Sequence, residues 1–152
     1  MRVVALLVDT SILVWLANRA DMAYPIADWA VVELHRRGET LHLTPQNLIE
    51  FRNVATRPPA VNGLGLSTVA AETNAADFEA LFPLLTATPD IYPRWKTLVE
   101  ALGVVGKRVH DARLVAVCHV HGVTHLLTFN TAHFTTLVSF APGFVVVDPS
   151  SV

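Results

Sequence analysis

Residues 3–11 have the sequence VVALLVDTS, in which six aliphatic residues are followed directly by Asp9, Thr10 and Ser11. An uninterrupted aliphatic run is typical of a strand that is buried on both faces, as in a parallel sheet. In such sheets, ligands bind beyond the carboxyl ends of the strands. The stretch therefore predicts a central strand that delivers a carboxylate and two hydroxyls to a ligand site.

The rest of the chain alternates between strand and helix patterns. Thr44 followed by Pro45 is typical of a helix start, and Gly38 is typical of a helix end. Further strands are predicted at residues 41–43, 84–87, 123–127 and 144–147, and helices at residues 11–18, 25–37, 45–55, 68–81, 91–102 and 111–121. This alternation predicts one α/β domain over residues 1–152, with a mostly parallel sheet.

The composition limits the classes of function. With 52% hydrophobic and 16% charged residues, the chain can bury a large core, which excludes a disordered protein. A net charge of −2 argues against binding nucleic acid by bulk electrostatics, although a nuclease needs only a local basic rim. Cys118 is the only cysteine, so neither a disulfide framework nor a cysteine zinc site is expected. The apolar runs are too short for a membrane span, and we expect a cytoplasmic protein that binds no membrane.

Two predicted strands end in polar residues at the edge of the sheet where a site is expected. Asp9, Thr10 and Ser11 follow the first strand, and Thr128 and Asn130 follow the strand at residues 123–127. Asp9 could simply cap the helix that comes next. Ser11 is equally able to cap that helix, which would leave the Asp9 carboxylate free to bind a ligand.

Glu50 and Asp111 are two further acidic candidates, both within predicted helices. Glu50 shares a stripe with Gln46, Asn47 and Asn53, which is polar but uncharged, unlike an ordinary solvent-exposed face. Asp111 opens a helix that is apolar almost all round. A helix cap is the alternative interpretation of Asp111, but it does not explain the polar surroundings of a partly buried anion.

Three carboxylates with hydroxyl and amide neighbours are typical of a site for a hard cation. Mg²⁺ or Mn²⁺ binds through one or two carboxylates and several waters, which leaves positions for a phosphate. Such an ion activates a bound water and neutralises charge during phosphodiester cleavage. Zinc is disfavoured, because His119 and His121 point to different sides of one helix. A phosphatase that forms an aspartyl-phosphate is disfavoured because Ser11 stands where a second aspartate is expected.

Four motifs, in this order, resemble the PIN-domain family, and within it the VapC-type toxins. They are Asp-Thr-Ser at residues 9–11, the glutamate after Thr-Pro at residues 44–45, His-Asp-Ala-Arg-Leu-Val-Ala at residues 110–116 and Thr-Phe-Asn-Thr-Ala-His-Phe at residues 128–134. The resemblance implies a three-layer sandwich around five strands in the order 3-2-1-4-5. It also implies a Mg²⁺-dependent endoribonuclease that is the toxin of a toxin–antitoxin pair.

The resemblance assigns roles to particular residues. The first three acids of the family correspond to Asp9, Glu50 and Asp111, which would hold Mg²⁺ or Mn²⁺. Three hydroxyl side chains would support these acids: Thr10, Ser11 and Thr128. The fourth acidic position of the family is occupied by Asn130, which can offer a carbonyl oxygen but removes one negative charge. This departure leaves open a catalytically impaired PIN domain that acts by binding RNA or protein.

Partners are predicted from the charge and apolar patterns. Five basic residues flank the predicted site and are candidates for contacts with RNA phosphates: Arg52, Arg57, Lys107, Arg108 and Arg113. Four apolar residues of the first two helices could bind an amphipathic antitoxin helix or a second copy of the chain: Ile12, Trp15, Ile26 and Trp29. We therefore expect an RNA substrate, a cognate antitoxin and a homodimer.

Overall fold

A parallel sheet forms the centre of the protein. The structure is a computed structural model that describes residues 2–139 and 141–152. The strands are β1 (Ala5–Val8), β2 (Thr40–His42), β3 (His125–Leu127) and β4 (Val145–Val147). The helices are α1 (Thr10–Leu16), α2 (Tyr24–Arg36), α3 (Pro45–Thr56), α4 (Thr68–Leu81), α5 (Ile91–Leu102), α6 (Arg108–His121) and α7 (Thr131–Val138). All three strand pairs are parallel, in the order β2-β1-β3-β4, which confirms the predicted α/β class.

The aliphatic run of β1 is buried because helices cover both faces of the sheet. Leu6 and Val8 belong to one apolar cluster with residues of α1, α2, α3 and α4. Leu7 points the other way, into a second cluster with residues of α5, α6 and α7. Alternate side chains of a strand face opposite sides of a sheet, so the run places one core on each side of β1. This is the predicted three-layer sandwich.

The predicted fifth strand, at residues 84–87, is wrong for this chain. Leu84 forms a single parallel bridge with Leu43, in which the N–H of Leu85 donates to the carbonyl oxygen of Leu43 at 2.7 Å. The ladder does not continue beyond this pair. Two residues after Leu43 the chain enters α3 at Pro45, which has no N–H to donate. The segment lies where the third strand of the order 3-2-1-4-5 was expected, but the described sheet has four strands.

The helices α6 and α7 also differ from the sequence prediction. The helix α7 was missed, although Phe134 and Leu137 have helical spacing and are buried in the second cluster. Short helices rich in threonine give a weak pattern, since threonine has low helix propensity. The helix α6 begins at Arg108 rather than at Asp111, and Lys107 occupies its N-cap position. Asp111 therefore lies in the first turn of α6 and does not cap it.

Among the described residues, no helix combines the length and the apolar character that crossing a bilayer requires.

Replacing Phe51 by alanine is expected to destabilise the protein by about 3–5 kcal/mol, because it leaves a cavity in the first cluster. Phe51 is fully buried and packs edge-on against Phe78, with ring centroids 5.1 Å apart. Ile49→Ala on the same helix is the control, since Ile49 is 67% exposed. Urea unfolding of both variants measures the difference. Equal losses of stability would contradict this account of the core.

Candidate active site

Asp9 is buried at the carboxyl end of β1, where its Oδ2 atom accepts hydrogen bonds. Only 4% of the residue is exposed. The hydroxyls of Ser11 and Thr128 each donate to Oδ2 at 2.8 Å, and the Ser11 N–H lies 3.4 Å away. Asp9 is therefore itself the N-cap of α1, so of the two caps that the sequence left open it is Asp9, not Ser11, that caps this helix. In the part of the chain that the structure describes, Oδ1 accepts no hydrogen bond, so it remains available to a ligand.

The same hydroxyls tie together the ends of two neighbouring strands. Thr128 follows β3, and its Oγ1 accepts the N–H of Asn130 at 2.9 Å while donating to Asp9. The Oγ of Ser11 accepts the N–H of Phe129 at 3.2 Å. The loop after β1 and the loop after β3 thus hold one another in place. The two polar strand ends expected from the sequence do meet at one edge of the sheet.

Glu50 reaches this edge from α3. Its Oε2 atom accepts a hydrogen bond from the Thr10 hydroxyl at 2.8 Å, and Thr10 in turn accepts one from the Asn47 amide at 3.1 Å. Asn47 also forms a buried capping box with Thr44 at the start of α3. Thr44 and Pro45 thus start α3 at the position where the capping box orients Asn47. Asn47 and Glu50 both bind Thr10, which links α3 to the end of β1.

Gln46 is a functional residue for which sequence analysis proposed no role. Its Nε2 atom donates to Glu50 Oε1 at 2.7 Å and to the carbonyl oxygen of His110 at 2.8 Å. Its Oε1 atom accepts a hydrogen bond from the Arg113 guanidinium at 3.0 Å. Gln46 therefore bridges α3 and α6 and fixes the second oxygen of Glu50. The signal in the sequence was the uncharged polar stripe that contains both Gln46 and Glu50.

Asp111 lies close enough to Asp9 and Glu50 for their charges to change its pKa. Its pKa is raised from 3.8 to about 6, first because burial disfavours the charged carboxylate and then because Asp9 and Glu50 repel it. His133 and Arg108 oppose this shift through their positive charge. The pKa of Asp9 is also raised, chiefly by burial, with a smaller contribution from the charge of Glu50. The protein therefore gathers three carboxylates into one region where their charges are poorly compensated.

The donor chemistry fits Mg²⁺ bound mainly through water. No group of three or more histidine, cysteine, aspartate or glutamate side chains within residues 2–139 and 141–152 lies in a geometry that could hold a metal ion. Mg²⁺ keeps several waters and needs only one or two carboxylates. The free Oδ1 of Asp9 and the carboxylate of Asp111 are the candidate ligands. Both oxygens of Glu50 already accept hydrogen bonds, which suits a contact to a metal-bound water.

Asn130 stands at the N-cap position of α7 and is exposed. Its backbone N–H donates to Thr128, but its side chain makes no capping hydrogen bond. Among the described residues its side-chain amide has no hydrogen bond to Asp9, Glu50 or Asp111. The amide is therefore free to turn toward a ligand at this edge of the sheet.

The five candidate RNA-binding residues are in different situations. Arg52 forms an ion pair with Glu72, so its charge is already compensated. Arg57 lies on the loop after α3, where it donates to the carbonyl oxygen of Asn62 at 3.4 Å.

The other three basic residues lie on α6 or at its N-cap position. Arg108 donates to Thr136 Oγ1 at 2.8 Å and to the carbonyl oxygen of His133, which joins α6 to α7. Arg113 contacts Gln46, and Lys107 is exposed at the start of α6. The start of α6 is thus the basic border of the three-acid region.

Comparison with known proteins identifies the family. The sequence model of the PIN domain matches residues 6–136. The chain belongs to the PIN-domain family. No curated protein matches it significantly. Three solved structures share the PIN fold of this chain at low sequence identity, and their similarity shows the fold alone.

Two of these structures are VapBC complexes. VapBC2 from Rickettsia felis, bound to a DNA fragment from its promoter, has a TM-score of 0.67 and 14% identity, covering 95% of this PIN chain and 98% of that chain. VapBC-1 from nontypeable Haemophilus influenzae has a TM-score of 0.68 and 12% identity, covering 96% and 98%. PAE2754 from Pyrobaculum aerophilum has a TM-score of 0.60 and 19% identity, covering 97% and 91%.

In the metal-free PIN domain, Asp111→Asn is expected to raise the melting temperature at about pH 7.5 and to have little effect near about pH 4. The folded state raises the pKa of Asp111 from 3.8 to about 6. The folded protein therefore binds this proton more tightly than the unfolded chain does. The resulting stability is fully present below the unfolded pKa and is lost as the pH rises through the folded one.

Thermal unfolding in chelator across this pH range measures the effect. Asp77→Asn is the matched control, because Asp77 is exposed on α4 and loses the same charge. The same pH dependence in both variants would contradict the raised pKa of Asp111.

Proposed function

We propose that this PIN domain is a Mg²⁺-dependent endoribonuclease. The observation that carries the proposal is the gathering of Asp9, Glu50 and Asp111 at the carboxyl edge of the sheet, where burial and then the charges of Asp9 and Glu50 raise the pKa of Asp111 to about 6. A protein gains nothing in stability from such an arrangement unless a cation compensates it. Oxygen donors with room for water favour Mg²⁺ or Mn²⁺ over softer metals.

The residues of the site have different roles in the proposed reaction. A bound Mg²⁺ supplies a water of lowered pKa and neutralises charge on the phosphate. Asp9 Oδ1 and Asp111 would hold the ion. Glu50 accepts the proton of the attacking water, while Thr10 and Gln46 hold its two oxygens in a fixed orientation. Water adds to phosphorus, the ester P–O bond breaks, and the released oxygen takes up a proton, so each cleavage consumes one water.

Removing a charge from the acids is expected to abolish most of the activity. Asp9→Asn and Asp111→Asn should each reduce RNA cleavage in Mg²⁺ by about two orders of magnitude or more, which is the scale for losing one electrostatic contact in a transition state. Asp77→Asn, with the same charge change on the exposed surface of α4, should retain activity. Cleavage of a mixed single-stranded RNA pool is the assay. Full activity in either site variant, folded by circular dichroism, would overturn the assignment.

Asn130 favours a second candidate function, a PIN domain that binds RNA or protein without cutting. With asparagine at the fourth acidic position, the site carries three formal negative charges, and a second divalent ion meets weaker attraction. Titration of RNA cleavage with Mg²⁺ separates the two functions, because a binding module shows no metal-dependent cleavage at any concentration.

Asn130→Asp is expected to tighten Mn²⁺ binding and to destabilise the metal-free protein. The added carboxylate attracts the ion, and without the ion it repels the three acids. We expect one well-bound ion in the original protein and either tighter binding or a second site in the variant. Calorimetric titration with Mn²⁺ and thermal unfolding in chelator measure the two effects. Identical affinity and stoichiometry would mean that Asn130 lies outside the site.

We also propose that the protein is the toxin of a pair like VapBC and is neutralised by an antitoxin. The solved structures of similar fold include two VapBC complexes, and a cluster of carboxylates invites an arginine or lysine from a partner. The apolar surface expected on α1 and α2 needs correction, because Ile12 is fully buried and Trp15 is half-buried. Ile26 and Trp29 remain as exposed apolar residues on α2, where a partner helix or a second copy would bind.

A further inference from the structure

A cavity of about 460 Å³ opens beside Glu50, between α3, α6 and the segment that precedes α5. Its size is within the range of about 300–1,000 Å³ that is usual for small-molecule sites. Apolar atoms form most of its exposed wall, with contributions from Ile49, Leu85, Ile91 and Val117, while Thr44, Asn53, Thr86 and His110 add polar groups. Glu50 belongs both to this cavity and to the three-acid region. A nucleotide whose phosphate lies at the acids would therefore bring a neighbouring group to the cavity.

Arg113 places a positive charge in the wall of this cavity. One of its N–H groups donates to Gln46 Oε1 at 3.0 Å. Over residues 2–139 and 141–152 the guanidinium has no carboxylate within ion-pair distance. Its other N–H groups have no hydrogen-bonding partner among those residues. Gln46 holds the guanidinium through one nitrogen, so the other N–H groups of this wall residue are available to a ligand.

The chemistry of the wall favours a planar, mainly apolar ligand with hydrogen-bond acceptors along one edge. An isolated phosphate would meet Arg113 but would also lie next to the Glu50 carboxylate and against aliphatic side chains, which leave its remaining oxygens unsatisfied. A nucleobase has two apolar faces and a polar edge. Proteins that recognise single-stranded RNA take splayed bases into pockets of this kind and bind their edges by hydrogen bonds.

The fixed donors of Arg113 select among the bases. Guanine presents two adjacent acceptors, O6 and N7, that match the fork of an arginine. On the corresponding edge, adenine places its N6 amino donor beside N7, which meets the guanidinium as donor against donor. The acceptor of Gln46, Oε1, already binds Arg113, and its amide donors bind Glu50 and His110, so both ends of this side chain are engaged within the protein.

We propose that this cavity binds the base of a nucleotide next to the scissile phosphate, and that Arg113 selects guanine there. The proposal rests on the proposed nuclease function and adds a substrate preference to it. Arg113 is then a specificity-determining residue that contacts the base. Gln46 is a positioning residue shared by recognition and catalysis, since it binds both Arg113 and Glu50.

The first test is the sequence preference of cleavage. A pool of single-stranded RNA with randomised positions is cut in Mg²⁺, and the new ends are sequenced. The original protein should enrich guanine at one position fixed relative to the cut. Arg113→Gln should lower this preference roughly tenfold, the scale of one bidentate contact. Arg94→Gln is the matched control, because Arg94 is exposed on α5 and lies outside this cavity.

A second pair of variants tests the space rather than the charge. Ala87 lies in the cavity wall and is exposed, so Ala87→Phe should fill the space without disturbing the core. Ala101→Phe adds the same ring to the exposed surface of α5. Loss of the guanine preference in the first variant and its retention in the second support the proposal. If Ala87→Phe changes only the oligomeric mass, a second copy covers the cavity and the proposal is overturned.

A binding measurement distinguishes failure of this proposal from failure of the nuclease function. GMP, AMP, CMP, UMP and inorganic phosphate are each titrated into the protein with Mg²⁺ present, by calorimetry. We expect GMP to bind at least about tenfold more tightly than the other ligands, and Arg113→Gln to remove the difference. Selective GMP binding without RNA cleavage would support the cavity and reject the nuclease. Cleavage with no base preference, or phosphate binding as tightly as GMP, would overturn the cavity proposal and leave the nuclease standing.

Discussion

The carboxylate of Asp9 is almost completely removed from water at the end of the central strand, and much of the surrounding polar structure satisfies it. A buried charge costs several kcal/mol unless hydrogen bonds compensate it. Here the hydroxyls of Ser11 and Thr128 provide that compensation at a single oxygen. Because these hydroxyls come from the ends of β1 and β3, the same bonds fix the two loops that form the edge of the site.

The hydrogen bonds to Asp9 do not compensate all of the negative charge in this region. Glu50 and Asp111 add two carboxylates where Asp9 is already buried, and burial together with the charges of Asp9 and Glu50 raises the pKa of Asp111. The charges of Arg108 and His133 lower the pKa of Asp111 but do not cancel the rise that burial and the other two acids cause. The rigid network around Thr10, Asn47 and Gln46 holds the acids together in spite of their repulsion. Electrostatic repulsion of this kind is common at functional sites, where the surrounding structure holds the charged groups together.

Gln46 connects the acids to the neighbouring cavity. Through its two ends it orients Glu50 and Arg113 at once, so the geometry of the proposed catalytic base depends on the geometry of the proposed recognition site. A third contact, to the main chain of α6, prevents the amide from turning. The helices α3 and α6 are therefore held in register by polar contacts as well as by the apolar cores on the two faces of the sheet.

The sequence alone determined the parts of this protein that depend on near neighbours. The aliphatic run before Asp9 predicts the central strand, Thr44-Pro45 predicts the start of α3, and the motifs identify the family to which the acids belong. Periodicity and capping act over a few residues, so they are visible in a linear pattern.

Tertiary structure decided what depends on distant parts of the chain. Leu84 pairs with Leu43 only once, because the start of α3 at Pro45 stops the ladder, and no local signal in the segment at 84–87 reveals this. The choice of Asp9 over Ser11 as the helix cap follows from the position of Thr128, which lies 119 residues away along the chain. The cavity and the link from Glu50 through Gln46 to Arg113 likewise arise only where α3 meets α6. Hydrogen-bond partners and electrostatic repulsion depend on distances in space, and the order of residues does not specify them until the chain is folded.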